Sequence, residues 1–230
     1  MKTFTAALKT LAFPFLLLGA VLATLFVPGA DLLVSAWAAG GENVGHVSRV
    51  QGAAYAVQGA ELRELAVNDL IRRTDVLRTG PGARLELTML DETRLTLGAD
   101  TELGVERYDL GRRPGAGAVL LRFVKGAFRV VTGRLEALRA EREEPFEVET
   151  PFAVIGIRGT DFWGGFLDAG ELSVLLISGR GVYLRNDAGR SEIVRPLEGV
   201  RLASPAAPPP EPTLWSPDRR ARAFATVRFD

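Results

Sequence analysis

Residues 44–203 are cut into short stretches in which apolar and polar side chains alternate, with glycine or an Asx residue between one stretch and the next. A period of two places successive side chains on opposite faces of an extended strand, so each stretch can bury one face only. Residues 84–89 alternate strictly and put Leu85, Leu87 and Met89 together. Residues 93–97 alternate as well, and Asp91-Glu92 between the two predicts a hairpin. Residues 120–131, 146–152, 171–177 and 181–184 continue the series. A loose repeat of apolar residue, polar residue and glycine recurs at Val50-Gln51-Gly52, Val124-Lys125-Gly126 and Ile177-Ser178-Gly179. Units that bury their apolar faces only against neighbours predict an all-β fold, a rolled or solenoid-like antiparallel module.

One segment departs from the pattern. Residues 134–143 hold strong helix formers with Arg139 and Glu143 one turn apart, which predicts a short charged helix or loop ended by Pro145. At 150–162 the chain reads T-P-F-A-V-I-G-I-R-G-T-D-F, an apolar strand interrupted by Arg158 with Gly156 and Gly159 on either side. Glycine permits a positive φ or the close approach of another backbone. A guanidinium pointing inward needs a carboxylate or several carbonyls. The segment is therefore expected to turn sharply around a buried, paired cation, with a ligand-facing Arg158 as the alternative. Asp161 and Trp163 are the neighbouring candidates for binding. Thr150, Pro151, Gly156, Gly159 and Thr160 are read as structural.

The ends differ from this middle. Lys2 and Lys9, an apolar run at 11–27 and Ala36-Trp37-Ala38 predict a signal peptide over 1–38, with an uncleaved membrane anchor as the rival. Either places the rest of the chain outside the cytoplasm, in the periplasm. Residues 204–217 carry six prolines, Pro205, Pro208, Pro209, Pro210, Pro212 and Pro217, and read as a stiff polyproline spacer. The tail, 218–230, is read as one strand at most, over 224–229.

Composition excludes several functions. The formal charge is +0, which leaves no electrostatic footprint for nucleic acid. There is no cysteine and one histidine, His46, so thiolate chemistry and histidine-rich metal sites are absent and no cofactor is implied. No glycine-rich phosphate loop opens a helix.

The 150–162 segment resembles the T-P-x-A-x-x-G-V-R-G-T-x-F signature of the FecR domain, an extracytoplasmic β-rich module. Asp75-Val76-Leu77-Arg78-Thr79-Gly80, Ala83-Arg84-Leu85-Glu86-Leu87, 97–103, Gly126-Ala127-Phe128-Arg129 and 174–182 are similar to further elements of that family, in its order, over 44–203. Asp91-Glu92-Thr93 stands where the family has D-G-S, which implies a hairpin with a type I turn. Full-length FecR regulators carry a cytoplasmic anti-sigma segment before a membrane helix. The 10 residues before Leu11 and the short tail are expected to leave room for neither that segment nor a second domain. The resemblance implies a non-catalytic binding module in the envelope whose partner is an envelope protein or polysaccharide. A membrane-anchored signalling subunit is one alternative. A carboxylate-dependent glycan hydrolase using Asp91, Glu92, Asp100, Glu102 or Asp161 is another.

Overall fold

Strands with a single apolar face need a second sheet to pack against, and the computed structural model shows where they find it. The structure describes residues 41–110, 117–133, 145–168 and 170–230. The expected signal segment at 1–38 and the charged segment at 134–143 fall outside those residues.

The first strands are β1 (Asn43–Gln51), β2 (Ala54–Gln58), β3 (Glu61–Glu64), β4 (Leu70–Arg72), β5 (Val76–Thr79) and β6 (Arg84–Met89). Next come β7 (Arg94–Leu97), β8 (Glu102–Asp109), β9 (Ala118–Lys125), β10 (Ala127–Val131), β11 (Phe146–Glu149) and β12 (Val154–Ile157). The series ends with β13 (Thr160–Asp168), β14 (Glu171–Gly179), β15 (Val182–Asn186), β16 (Gly189–Ile193), β17 (Glu198–Leu202) and β18 (Thr213–Leu214), followed by helix α1 (Pro217–Val227). They form two nine-stranded sheets. The first runs β18-β17-β14-β13-β10-β7-β6-β1-β4 and the second β16-β15-β12-β11-β9-β8-β5-β2-β3. All pairings among these strands are antiparallel except β9 with β11. The all-β expectation holds, in the form of two open sheets with no closed barrel.

One apolar core lies between the sheets. Leu85, Leu87, Leu95, Phe128 and Val174 of the first sheet meet Leu77, Leu103, Phe123, Ile155 and Leu184 of the second, all fully or almost fully buried. The 84–97 hairpin forms as predicted, with Leu85 opposite Leu97 and Leu87 opposite Leu95. Its turn closes by Glu92 N–H donating to Met89 O at 3.0 Å, and Glu92 takes φ +66° where glycine would be unstrained.

The glycine spacing of the sequence marks where the chain changes sheet. Nine crossings lie within the described residues, and each contains a residue of positive φ: Gly52, Asn68, Thr74, Gly82, Asp100, Gly126, Gly159, Gly179 with Gly181, and Leu197. The loose repeat at Gly52, Gly126 and Gly179 is thus a set of corners. Thr74 is the most strained of them, a β-branched residue at φ +73°. Thr74→Asn keeps a polar side chain near Gln58 Nε2, now 2.8 Å from the threonine hydroxyl, and relieves the left-handed backbone. It should raise the unfolding free energy in urea by about 1 kcal/mol.

The C-terminal segments correct two expectations. The prolines do not hold the tail away; they strap it down. Asn186 Nδ2 donates to Ala207 O at 2.7 Å and Pro205 O at 3.0 Å, and Ser191 Oγ donates to Pro210 O at 2.8 Å. The strap therefore follows the β15–β16 hairpin at the edge of the second sheet. The tail is also helical rather than extended, because Ser216 accepts from Arg219 N and Pro217 opens the first turn. Helix α1 covers the outer face of the first sheet, where Trp163, Leu175, Trp215, Ala223 and Val227 form a second buried cluster.

Charge fixes that helix. Arg219 donates to Asp168 Oδ2 at 3.0 Å, Glu171 Oε1 at 3.0 Å and Ser173 Oγ at 2.9 Å, while Arg222 donates to Asp168 Oδ1 at 2.7 Å. The bonds from Arg222 first and Arg219 second hold the Asp168 carboxyl below its ordinary 3.8. A carboxylate whose pKa falls on folding binds fewer protons in the native state. Its contribution is full above the ordinary range and fades as pH drops below 3.8 through the depressed folded value. Acid titration followed by tryptophan emission should therefore show α1 loosening in that window, and Asp168→Asn should remove that dependence.

Candidate binding face

The 150–162 segment is not one strand. It occupies β12 in the second sheet, crosses at Arg158-Gly159, and continues as β13 in the first sheet. Most of its residues serve this path. The Thr150 hydroxyl accepts from Phe152 N at 3.1 Å and Ala153 N at 3.0 Å, closing the turn in which Pro151 sits exposed. Gly156 faces Tyr183 across the β12–β15 pair, and the ring lies so close that a Cβ at 156 would overlap it. Gly159 makes the corner at φ +62°. Thr160 is buried, donates to Ser178 O at 3.2 Å and accepts from Gly181 N at 3.2 Å, tying this corner to the one at 179–181. Asp161 receives both prongs of Arg129, at 2.8 and 2.7 Å. The bond to Asp161 outweighs burial and raises the Arg129 pKa.

Two of the three binding candidates are therefore structural. Asp161 is committed to Arg129 across the β10–β13 pair. Trp163 is 0% exposed, donates from Nε1 to Thr226 Oγ1 at 2.9 Å and meets Trp215 edge-on at 6.1 Å.

Arg158 departs from its expected burial in the other direction. Its side chain is 53% exposed and, among the described residues, its one ion pair is with Glu192, at 3.7 Å. Burying a guanidinium costs several kcal/mol unless its partners are ideal. Here Ile157 takes the inward position and the turn at Gly159 throws Arg158 onto the outer rim. The corner is pinned by its own hydrogen bonds, Arg158 N to Gly181 O at 3.2 Å and Arg180 N to Gly159 O at 3.1 Å.

Around Arg158 lies a shallow dimple lined by Arg180, Gly181, Val182, Tyr183, Glu192 and Val194. Arg190 stacks on the Tyr183 ring at 4.2 Å, and the Arg158 guanidinium stands 5.6 Å from the same ring. Glu192 is drawn to Arg190 at 2.6 Å, more tightly than to Arg158. The phenol of Tyr183 donates to Glu147 Oε1 at 2.9 Å, and Arg185 reaches the same carboxylate at 3.1 Å. Burial first and the Glu147 bond second raise the Tyr183 pKa, so the phenol stays neutral and keeps donating. Arg180 lies against Gly159, with its Nη2 2.9 Å and Nε 3.1 Å from where a Cβ would stand. Among the described residues it has no ion pair. Sequence reading found Arg158 but not Arg180, Tyr183, Arg190 or Glu192, because only the β12–β15–β16 register brings them together.

Three of the acids considered for hydrolysis, Asp161 with Arg129 and the two below, have other employment. Asp91 is buried and accepts from Thr93 Oγ1 at 2.9 Å and from the Tyr108 hydroxyl at 2.5 Å. Glu102 pairs with Arg78 at 3.1 Å. Among the described residues no group of acids and histidine is arranged to hold a metal, and no helix is long and apolar enough to cross a membrane.

A profile of the family described as FecR protein matches residues 75–180, a span inside the 44–203 expected from the sequence. No curated protein matches the chain. Two crystal structures of a candidate anti-sigma factor from Parabacteroides distasonis are similar at 18% and 20% identity, with TM-scores of 0.44 and 0.43. Each comparison covers 55% of this chain and 53% of the other, so the chain spans about half the length of those proteins. The matched span begins at the buried Asp75, ends at Arg180 on the dimple and contains the whole 150–162 segment, so it is residues 75–180 of this chain that are similar to the FecR domain.

Proposed function

We propose that the chain is a non-catalytic, exported FecR-domain protein that binds an envelope protein or polysaccharide through the face around Arg158. The observation that carries this reading is the presentation of Arg158 and Arg180 in one dimple, with a single acid, Glu192, that Arg190 already holds. The fold has no interior use for either guanidinium, whereas Thr150, Gly156, Gly159, Thr160 and Asp161 all have one. The basic start, apolar run and A-x-A site of residues 1–38 support export to the periplasm.

A photoreactive amino acid at Val194 tests the reading. Val194 lines the dimple and is exposed; Leu214, also exposed and on the first sheet, is the control position. Irradiated cells should yield an adduct with an envelope component from position 194 and none from 214. Equal labelling, or none, would overturn it. The apolar run at 11–27 favours a second reading, a membrane-anchored signalling subunit. N-terminal sequencing separates the two: a start after Ala38 supports the exported form, and retention of residues 1–38 the anchored one.

A further inference from the structure

We infer that the dimple takes the carboxylates of an acidic protein segment, an inference that rests on the binding reading above and narrows its partner. Three features point there. The first is an unbalanced charge. Arg158 and Arg180 line the dimple with one half-exposed acid, Glu192, so the lining carries one positive charge in excess, and that acid is already drawn to Arg190 beside it at 2.6 Å. The second is an unneutralised guanidinium. Arg180 lies against the Gly159 backbone, at a corner whose main chain is fixed by the Arg158 N to Gly181 O and Arg180 N to Gly159 O bonds, and no carboxylate among the described residues pairs with it. A guanidinium without an acid partner offers a planar fork suited to a carboxylate.

The third feature chooses between a protein and an acidic glycan. Sugar rings gain affinity by stacking on an open aromatic face, and the dimple's ring is Tyr183. That ring has Arg190 over it at 4.2 Å, Gly156 directly behind it and its hydroxyl tied to Glu147. No face is left for a pyranose. Beside the forks stands Val194, 57% exposed, which offers an apolar contact to a neighbouring side chain of a peptide. The partner this fits is an acidic segment with an apolar residue next to its carboxylates.

The test uses the mature chain labelled with ¹⁵N and two probes of equal charge, hexaglutamate and a six-residue oligogalacturonate. Hexaglutamate should shift the amides of 158–160 and 179–182 in a saturable way, and affinity should fall several-fold between 25 and 300 mM salt. The Arg158→Gln/Arg180→Gln variant should bind at least tenfold more weakly while the rest of its spectrum is unchanged, since both side chains are at the surface. Arg180→Lys, which keeps the charge and loses the fork, should also weaken binding. The inference is overturned if oligogalacturonate binds as tightly as hexaglutamate, if the double variant binds like the parent, or if neither probe gives a saturable shift. An envelope adduct at position 194 alongside such a result would leave the binding reading standing and remove only the acidic-peptide partner. Absence of that adduct removes the binding reading itself.

Discussion

Trp163→Ala should cost about 4 kcal/mol of folding stability, measured by urea unfolding, and leave ligand binding at the dimple unchanged once the protein is folded. The side chain is 0% exposed and touches the tail from the sheet side: Nε1 holds Thr226, and the ring meets Trp215, itself 3% exposed. Removing it leaves a cavity beneath α1 and takes one donor from the Thr226 hydroxyl, which still donates to Ala223 O at 2.6 Å. Native-state hydrogen exchange should then show α1 opening well before the β-sheets, because its packing on β10 and β13 is centred on this contact. A variant of normal stability with impaired binding would contradict the structure and restore Trp163 as a ligand residue.

Gly126→Ala should cost about 3 kcal/mol or more. Gly126 makes the corner from β9 to β10 at φ +94°, outside the range that L residues occupy comfortably. A Cβ there would stand 2.5 Å from Thr101 Cα, and backbone cannot swing aside as a side-chain tip can. The same threonine clamps the corner, with Ala127 N donating to its hydroxyl at 3.1 Å and that hydroxyl 3.1 Å from Ala127 O. By contrast Gly156→Ala meets side-chain atoms at the far end of Tyr183, which can shift by giving up its contacts with Glu147 and Arg190 while the backbone stays in place. A markedly smaller loss at 156 than at 126 would confirm that the cost comes from backbone against backbone.

How much of this was legible in the sequence depends on how local each cause is. The alternation of Leu85, Leu87 and Met89 is a property of six consecutive residues, and it named strand, face and hairpin correctly. The division into two sheets was not legible, because a strand reads the same in either. Its marker is a positive φ, which glycine advertises at Gly52, Gly126 and Gly179, and which Thr74, Asp100 and Leu197 conceal. Arg158 was misread through its neighbours: flanking apolar residues suggest an interior position, but alternation past Ile157 and the turn at Gly159 send it outward. Tyr183 lies 27 positions from Gly156 in sequence and directly opposite in register, a relation fixed only by the assembled sheet. The tail did carry its signal. Ser216-Pro217-Asp218 is a helix start, and the apolar-polar alternation after 223 obscured it.

The two ends of the sandwich are finished differently, and this limits how copies of the protein can join. At the β3–β4 end the strands are short, no further strand among the described residues pairs with them, and Leu62, Val67 and Leu70 are open to solvent. At the far end the proline strap runs along β16, and beyond β17 only the two-residue β18 remains. A fibril needs two mutually compatible edges on every subunit. Among the described residues one margin is covered and the other open, so strand-to-strand joining at the open margin would pair two copies rather than extend them.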